Sequence, residues 1–132
     1  MIPVVFINCK SVPYVDMIIS GKKLFETRNR NTLKSLAYNY VYIAETGKGC
    51  KPMIKAVAAL MPPVAITSRD MWRDLRRYTR VPVKSEQEWN KNTNVKYIYE
   101  LRCVQPVPVP FPLPDNAVRH GRVWAEYNEE EN

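Results

Sequence analysis

Between Gly21 and Arg28 the chain reads Gly-Lys-Lys-Leu-Phe-Glu-Thr-Arg, placing Lys23, Glu26 and Arg28 close together behind a glycine. In an extended strand Glu26 and Arg28 lie two residues apart on one face, with Leu24 and Arg30 beside them and Phe25 and Thr27 opposite. On a solvent-exposed face this is a surface ion pair worth at most about 1 kcal/mol. In a cleft it has uses. Lys23 and Arg28 can hold a phosphate or carbonyl oxygen, and Glu26 can orient Arg28 or accept from the amino group of a base. Were the chain an enzyme, Lys23 would be the reacting group, needing a lowered pKa or a phosphate to stabilise, with Glu26 beside it.

Other groups carry less. Arg69, Arg73, Arg76 and Arg80 recur at spacings of four, three and four, a basic stripe on a helix suited to phosphate-backbone contacts or to a solvated face. Trp124 has two readings, a stacking surface for a base or a core tryptophan. His120, the single histidine, reads as an exposed bystander in a loop. Tyr38, Tyr40 and Tyr42 share one strand face and Tyr97 and Tyr99 another, and both stripes read as core.

The 132 residues suffice for one compact core, and the whole chain, 1–132, reads as a single domain with a short acidic tail from about 128. With 45% hydrophobic residues and eight tyrosines it is not a disordered sequence. No apolar run approaches a membrane span, and the N-terminus lacks the features of a signal peptide. Cys9, Cys50 and Cys103 are scattered, which excludes a zinc ribbon or finger and suggests small buried hydrophobes, reduced in a cytoplasmic compartment. No metal and no cofactor are expected. The formal charge is +7, and without Glu129, Glu130 and Glu131 there are 20 basic against 10 acidic residues. A basic body points to anionic partners, nucleic acid first. The oligomeric state is left open.

The elements that must position these groups follow from pattern. Residues 4–7 read as a first strand. Ser11 is placed to cap a helix over 12–20, with Gly21 ending it. Strands follow over 24–30, 38–45 and 53–61. Thr67 and Asp70 have the form of a capping box opening a second helix over 68–78, whose apolar stripe is Met71, Trp72, Leu75 and Tyr78. Residues 85–89 suggest another helical turn, 97–104 a long strand and 122–127 a last one. From 106 to 114 every second residue is proline. Alternate residues of a strand present their amides to the same edge, so this reads as a blunted edge strand, with Val107, Val109, Phe111 and Leu113 free to pair on the other side. The order implies an α+β fold, a mostly antiparallel sheet curled into a small barrel.

Gly21-x-Lys23-x-x-Glu26-x-Arg28, directly after a short helix, resembles the G-x-K-x-x-E-x-R signature of the ASCH domain, a family of PUA-like β-barrels. The preceding strand and helix, the strand at 41–45 and the tail from His120 to Tyr127 are similar to that family's plan. Residues 68–94 have no counterpart and read as an insertion carrying the basic helix. The resemblance implies a cleft that binds RNA or a modified nucleoside, lined by Gly21, Lys23, Glu26, Arg28, Arg30 and Trp124. Some members are amidohydrolases of N4-acylated cytidine, using a lysine, a threonine and a glutamate. That lysine falls on Lys23. The threonine falls where this chain has Glu26, and the glutamate lies in the unaligned region, where Glu86 and Glu88 are candidates. Ribonuclease activity in the family implies a tyrosine six residues before the lysine, where this chain has Met17.

Overall fold

The computed structural model describes residues 1–47, 49, 51–81 and 96–128. The helical turn expected at 85–89, Glu86, Glu88, Cys50 and the acidic tail at 129–131 lie outside the described residues. Seven strands form one sheet: β1 (Ile2–Asn8), β2 (Phe25–Arg28), β3 (Tyr40–Thr46), β4 (Met53–Ile66), β5 (Lys96–Pro112), β6 (Val118–His120) and β7 (Trp124–Tyr127). Helix α1 (Tyr14–Ile19) follows β1, a short 3₁₀ turn (Lys34–Leu36) follows β2, and helix α2 (Arg69–Thr79) separates β4 from β5. The strand order is β2-β5-β4-β3-β1-β7-β6. β1 runs parallel to β3 and the other pairings are antiparallel. The α+β, mostly antiparallel expectation therefore holds. The barrel does not close among the described residues, because β2 and β6 end the order without pairing to each other.

Sequence pattern accounts for the packing. Along β4 alternate residues Ala56, Ala58 and Leu60 are fully buried, as a half-covered strand requires, and a register shift between Ile54 and Ala56 sends buried Ile54 to a second core. On one side Ala56, Ala58 and Leu60 meet Val15 and Ile18 of α1, with Leu33, Leu36 and Tyr99. The Tyr99 hydroxyl accepts from the Leu33 amide at 3.1 Å, giving a buried polar group its partner. On the other side Val4, Phe6, Ala44, Ile54, Leu113 and Ala125 form a second core. A third gathers Ile66, Trp72, Val81 and Ile98, with Phe25, Met71 and Leu75 packed against it, and so fastens α2 to the sheet.

Several expectations change in detail. The cap of α2 is Ser68, not Thr67: its side chain accepts from the Met71 amide at 3.1 Å. Ser11 does not cap α1, whose first flanking residue is Pro13 without a side-chain bond. β4 runs on through Pro62 and Pro63 by shifting register against β5. β5 absorbs the proline run. Its stretch beyond Leu101 pairs only with β4 among the described residues, so it is the edge foreseen, but the register shift between Ala56 and Ile54 leaves Val109 exposed rather than paired. Tyr38 and Tyr40 are exposed, not core, because the strand begins at Tyr40 and Tyr38 takes a left-handed turn conformation with φ 65°. Tyr42 alone of that stripe packs, edge-on to Phe111 and Tyr127. Cys103 is exposed at a position with φ 53°, so it is no core residue, whereas Cys9 is buried.

Candidate functional site

The turn that ends α1 aims the motif. Gly21 adopts φ 81° and its amide donates to the Ile18 carbonyl, while the amides of Lys22 and Lys23 both donate to the Met17 carbonyl. The chain doubles back, and Lys23 enters the protein instead of leaving it. Its side chain is 1% exposed, the ammonium donates to the Thr79 carbonyl, and it lies 4.7 Å from the centre of the Tyr14 ring.

Glu26 is buried as well. Its Oε1 accepts from the Thr27 amide at 2.9 Å and stands 4.0 Å from the Lys23 ammonium. Its Oε2 accepts from Arg28 Nη2 at 3.2 Å. The same Nη2 donates to the Phe6 carbonyl at 2.7 Å, while Arg28 Nε is buried with no hydrogen-bond partner. One carboxylate thus sits between two cations in a low-dielectric setting, where removing it costs far more than a surface pair. Burial lowers the pKa of Lys23, opposed by the Glu26 charge, which raises it, and reinforced by Arg28. The Tyr14 phenol is pushed up by burial first and then by Glu26.

These groups face a cleft of about 870 Å³. Its wall also takes the end of β1, the loop to α1, the end of β3 and the β6–β7 hairpin. At the rim Gly47 adopts φ 92°, and a Cβ there would stand 2.4 Å from the Asn8 side-chain oxygen. That oxygen accepts from the Lys10 amide at 2.9 Å, so the glycine makes room for the turn that carries Lys10.

No family model matches the sequence, and no curated protein matches it. Solved structures do. The ASCH protein of Zymomonas mobilis superimposes with a TM-score of 0.68 at 22% identity, over 84% of this chain and 73% of the other. A serine-to-alanine mutant of that protein gives 0.68 at 23% identity over 84% and 73%, and a tyrosine-to-phenylalanine mutant 0.67 at 22% over 84% and 75%. The chain has an ASCH-domain fold.

Within this ASCH fold the residues singled out by spacing divide. Lys23, Glu26 and Arg28 line the cleft together, and Thr27, expected on the opposite face, lines it too. Gly21 shapes the turn but is not part of the wall. Arg30 is exposed outside the cleft, because β2 ends at Arg28 and the chain bends at Asn29, which breaks the alternation. Trp124 is outside the wall: its ring stacks on His120, with centroids 4.1 Å apart and planes 17° apart, and packs on the first core. His120 is exposed as expected but ends the short strand β6 instead of lying in a loop, with Nε2 3.7 Å from Glu126. Of the arginine stripe, Arg69 and Arg73 are exposed, Arg73 beside Asp70 at 2.9 Å. Arg76 is half-buried, and Arg80 donates from Nε to the Lys22 carbonyl at 2.8 Å. Spacing missed Tyr14, Lys10, Arg119 and Arg122, which reach the cleft from other elements. His120-Gly121-Arg122 was itself a visible signal, since a glycine between basic residues near a strand end marks a turn.

Proposed function

We propose that the cleft binds RNA, or a nucleotide within it, with the base held at Lys23, Glu26 and Arg28. One observation carries this reading: three charged side chains, each at least four-fifths buried, meet at the wall of an open cleft of about 870 Å³, a volume suited to a nucleotide. Buried ionic groups open to a cavity cost stability that surface placement would avoid, which is the usual mark of a site. Glu26 can accept from a base amino group, Arg28 and Lys23 can donate to carbonyl or phosphate oxygens, and Tyr14 offers a ring face. The experiment is fluorescence anisotropy with a short single-stranded RNA at several salt concentrations. Affinity should fall with salt and drop at least tenfold in Lys23→Ala and Arg28→Ala, with folding checked by circular dichroism. Unchanged affinity in both variants overturns the assignment.

A second reading, hydrolysis of an N4-acylated cytidine or of RNA, has a specific observation in its favour. Burial lowers the Lys23 pKa, which raises the fraction of neutral amine available as a base, and Thr27 lines the same cleft as Lys23. Glu26 at the threonine position and Met17 at the tyrosine position weigh against it. Incubation with N4-acetylcytidine and with labelled RNA decides the matter: turnover abolished in Lys23→Ala supports it, and no turnover excludes it.

A further inference from the structure

The cleft is built in two depths. Its inner group is buried and its charges are committed to one another, with Lys23 on the Thr79 carbonyl and Glu26 shared between the Thr27 amide and Arg28. The mouth is different. Lys10, from the loop after β1, and Arg119 and Arg122, from the β6–β7 hairpin, are all exposed and all line the same cleft. None of the three has a carboxylate partner among the described residues. Glu26 is the one acidic residue in the described wall, and it belongs to the inner group.

We propose that Lys10, Arg119 and Arg122 form a phosphate subsite, so that the cleft takes its ligand as a phosphate ester, a nucleoside monophosphate either free or within an RNA strand, in preference to the bare nucleoside. This rests on the reading that the cleft accepts a nucleotide. Three cations without carboxylate partners around one opening repel each other, and an arriving phosphate, near −2 as a free monoester and −1 as a diester within a strand, relieves that repulsion. Arginine matches phosphate with two parallel hydrogen bonds, which lysine and neutral groups do not. The framework supports the geometry. Arg119 lies over the Phe6 ring at 5.8 Å, the Phe6 amide donates to the Val123 carbonyl at 3.1 Å, and the Phe6 carbonyl accepts from Arg28. Phe6 therefore links the hairpin at the mouth to the arginine of the inner group. A flat base inside and a hydrated phosphate outside is the division of a nucleotide itself.

The test is calorimetric titration of the full chain with the four ribonucleosides, their 5′-monophosphates, inorganic phosphate and a short single-stranded RNA. At least one monophosphate should bind at least tenfold more tightly than its nucleoside. Arg119→Ala combined with Arg122→Ala should remove that preference. Because Arg119 also packs on Phe6, Lys10→Glu and Arg122→Glu at exposed positions supply independent variants. Each should weaken the monophosphate at least fivefold and leave the nucleoside within twofold. If RNA is bound at the cleft but the monophosphate is not, the phosphate is read within a strand, and the same variants should weaken the RNA. Nucleoside and monophosphate of equal affinity, unaffected by the variants, overturn the phosphate subsite and leave the nucleotide reading standing. No binding of nucleoside, monophosphate or RNA overturns both. Binding of inorganic phosphate as tight as that of the monophosphate overturns the ester assignment.

Discussion

The ammonium of Lys23 donates to the carbonyl of Thr79, the last residue of α2, across 56 positions of sequence. The neighbours repeat the link. Arg80 Nε donates to the Lys22 carbonyl at 2.8 Å and the Leu24 amide to the Tyr78 carbonyl at 2.8 Å. Three successive residues of the motif thus clasp the last turn of α2, where carbonyls lack helical partners and the helix dipole favours a cation. The helix that sequence alone marks as an insertion is what seats the central lysine.

Arg80 separates the two jobs of that clasp. It holds φ 61°, a left-handed cap conformation that glycine adopts freely, while its guanidinium secures Lys22. Arg80→Ala should lose the bond and keep the strain. Arg80→Gly should lose the same bond and release about 1 kcal/mol of backbone strain. Urea titration should place Arg80→Gly above Arg80→Ala by that margin, and both should weaken RNA binding through Lys22 and Lys23.

Glu26→Gln leaves Lys23 and Arg28 buried without their counter-charge. A loss of about 3 kcal/mol in unfolding free energy is expected, as for other broken buried pairs. Since the Glu26 charge supports the lysine's proton, the Lys23 pKa should fall further, which NMR titration of the side chain can follow.

Burial sets Lys23 below the ordinary lysine value of 10.5, so the unfolded chain binds the proton more tightly than the folded one. Between the folded value and 10.5 the unfolded state therefore carries more protons, and stability contributed at this site rises with pH. Compared with Lys23→Met, the wild type should gain stability as pH increases toward 10.5. Ligand affinity that depends on the ammonium should fall over the same interval. Denaturant titrations and binding measured from pH 7 to 9.5 check both signs, staying below the window where Tyr14, raised above 10.0, begins to titrate.

At Gly47 any side chain meets the Asn8 oxygen at 2.4 Å on a backbone of φ 92°. Gly47→Ala should cost about 2 kcal/mol or more by combining strain with a clash. The turn that presents Lys10 should shift, weakening phosphorylated ligands more than nucleosides.

Much of the fold was legible because it rests on local patterns. The glycine ending α1, the alternation along β4 and the alternating prolines of β5 each act through neighbours in sequence. Lys23, Glu26 and Arg28 were legible as a group for the same reason, lying on one turn and one strand. What failed depended on where local rules stop. Arg30 left the cleft because β2 ends two residues earlier, and Trp124 was covered by His120 across a hairpin. Thr67 and Ser68 both suit a cap, and only the backbone shows which one accepts from Met71. Lys10, Arg119 and Arg122 arrive at the cleft through pairing of β7 on β1, a long-range register that spacing does not encode.

The most direct measurement of the central claim is a site-resolved NMR titration with a short single-stranded RNA, following backbone amides and the arginine Nε groups. The cleft assignment predicts that shifts concentrate at Arg28 Nε, Thr27, Tyr14 and Arg122. Shifts confined to Arg69 and Arg73 on the outer face of α2, with the cleft unmoved, would contradict it.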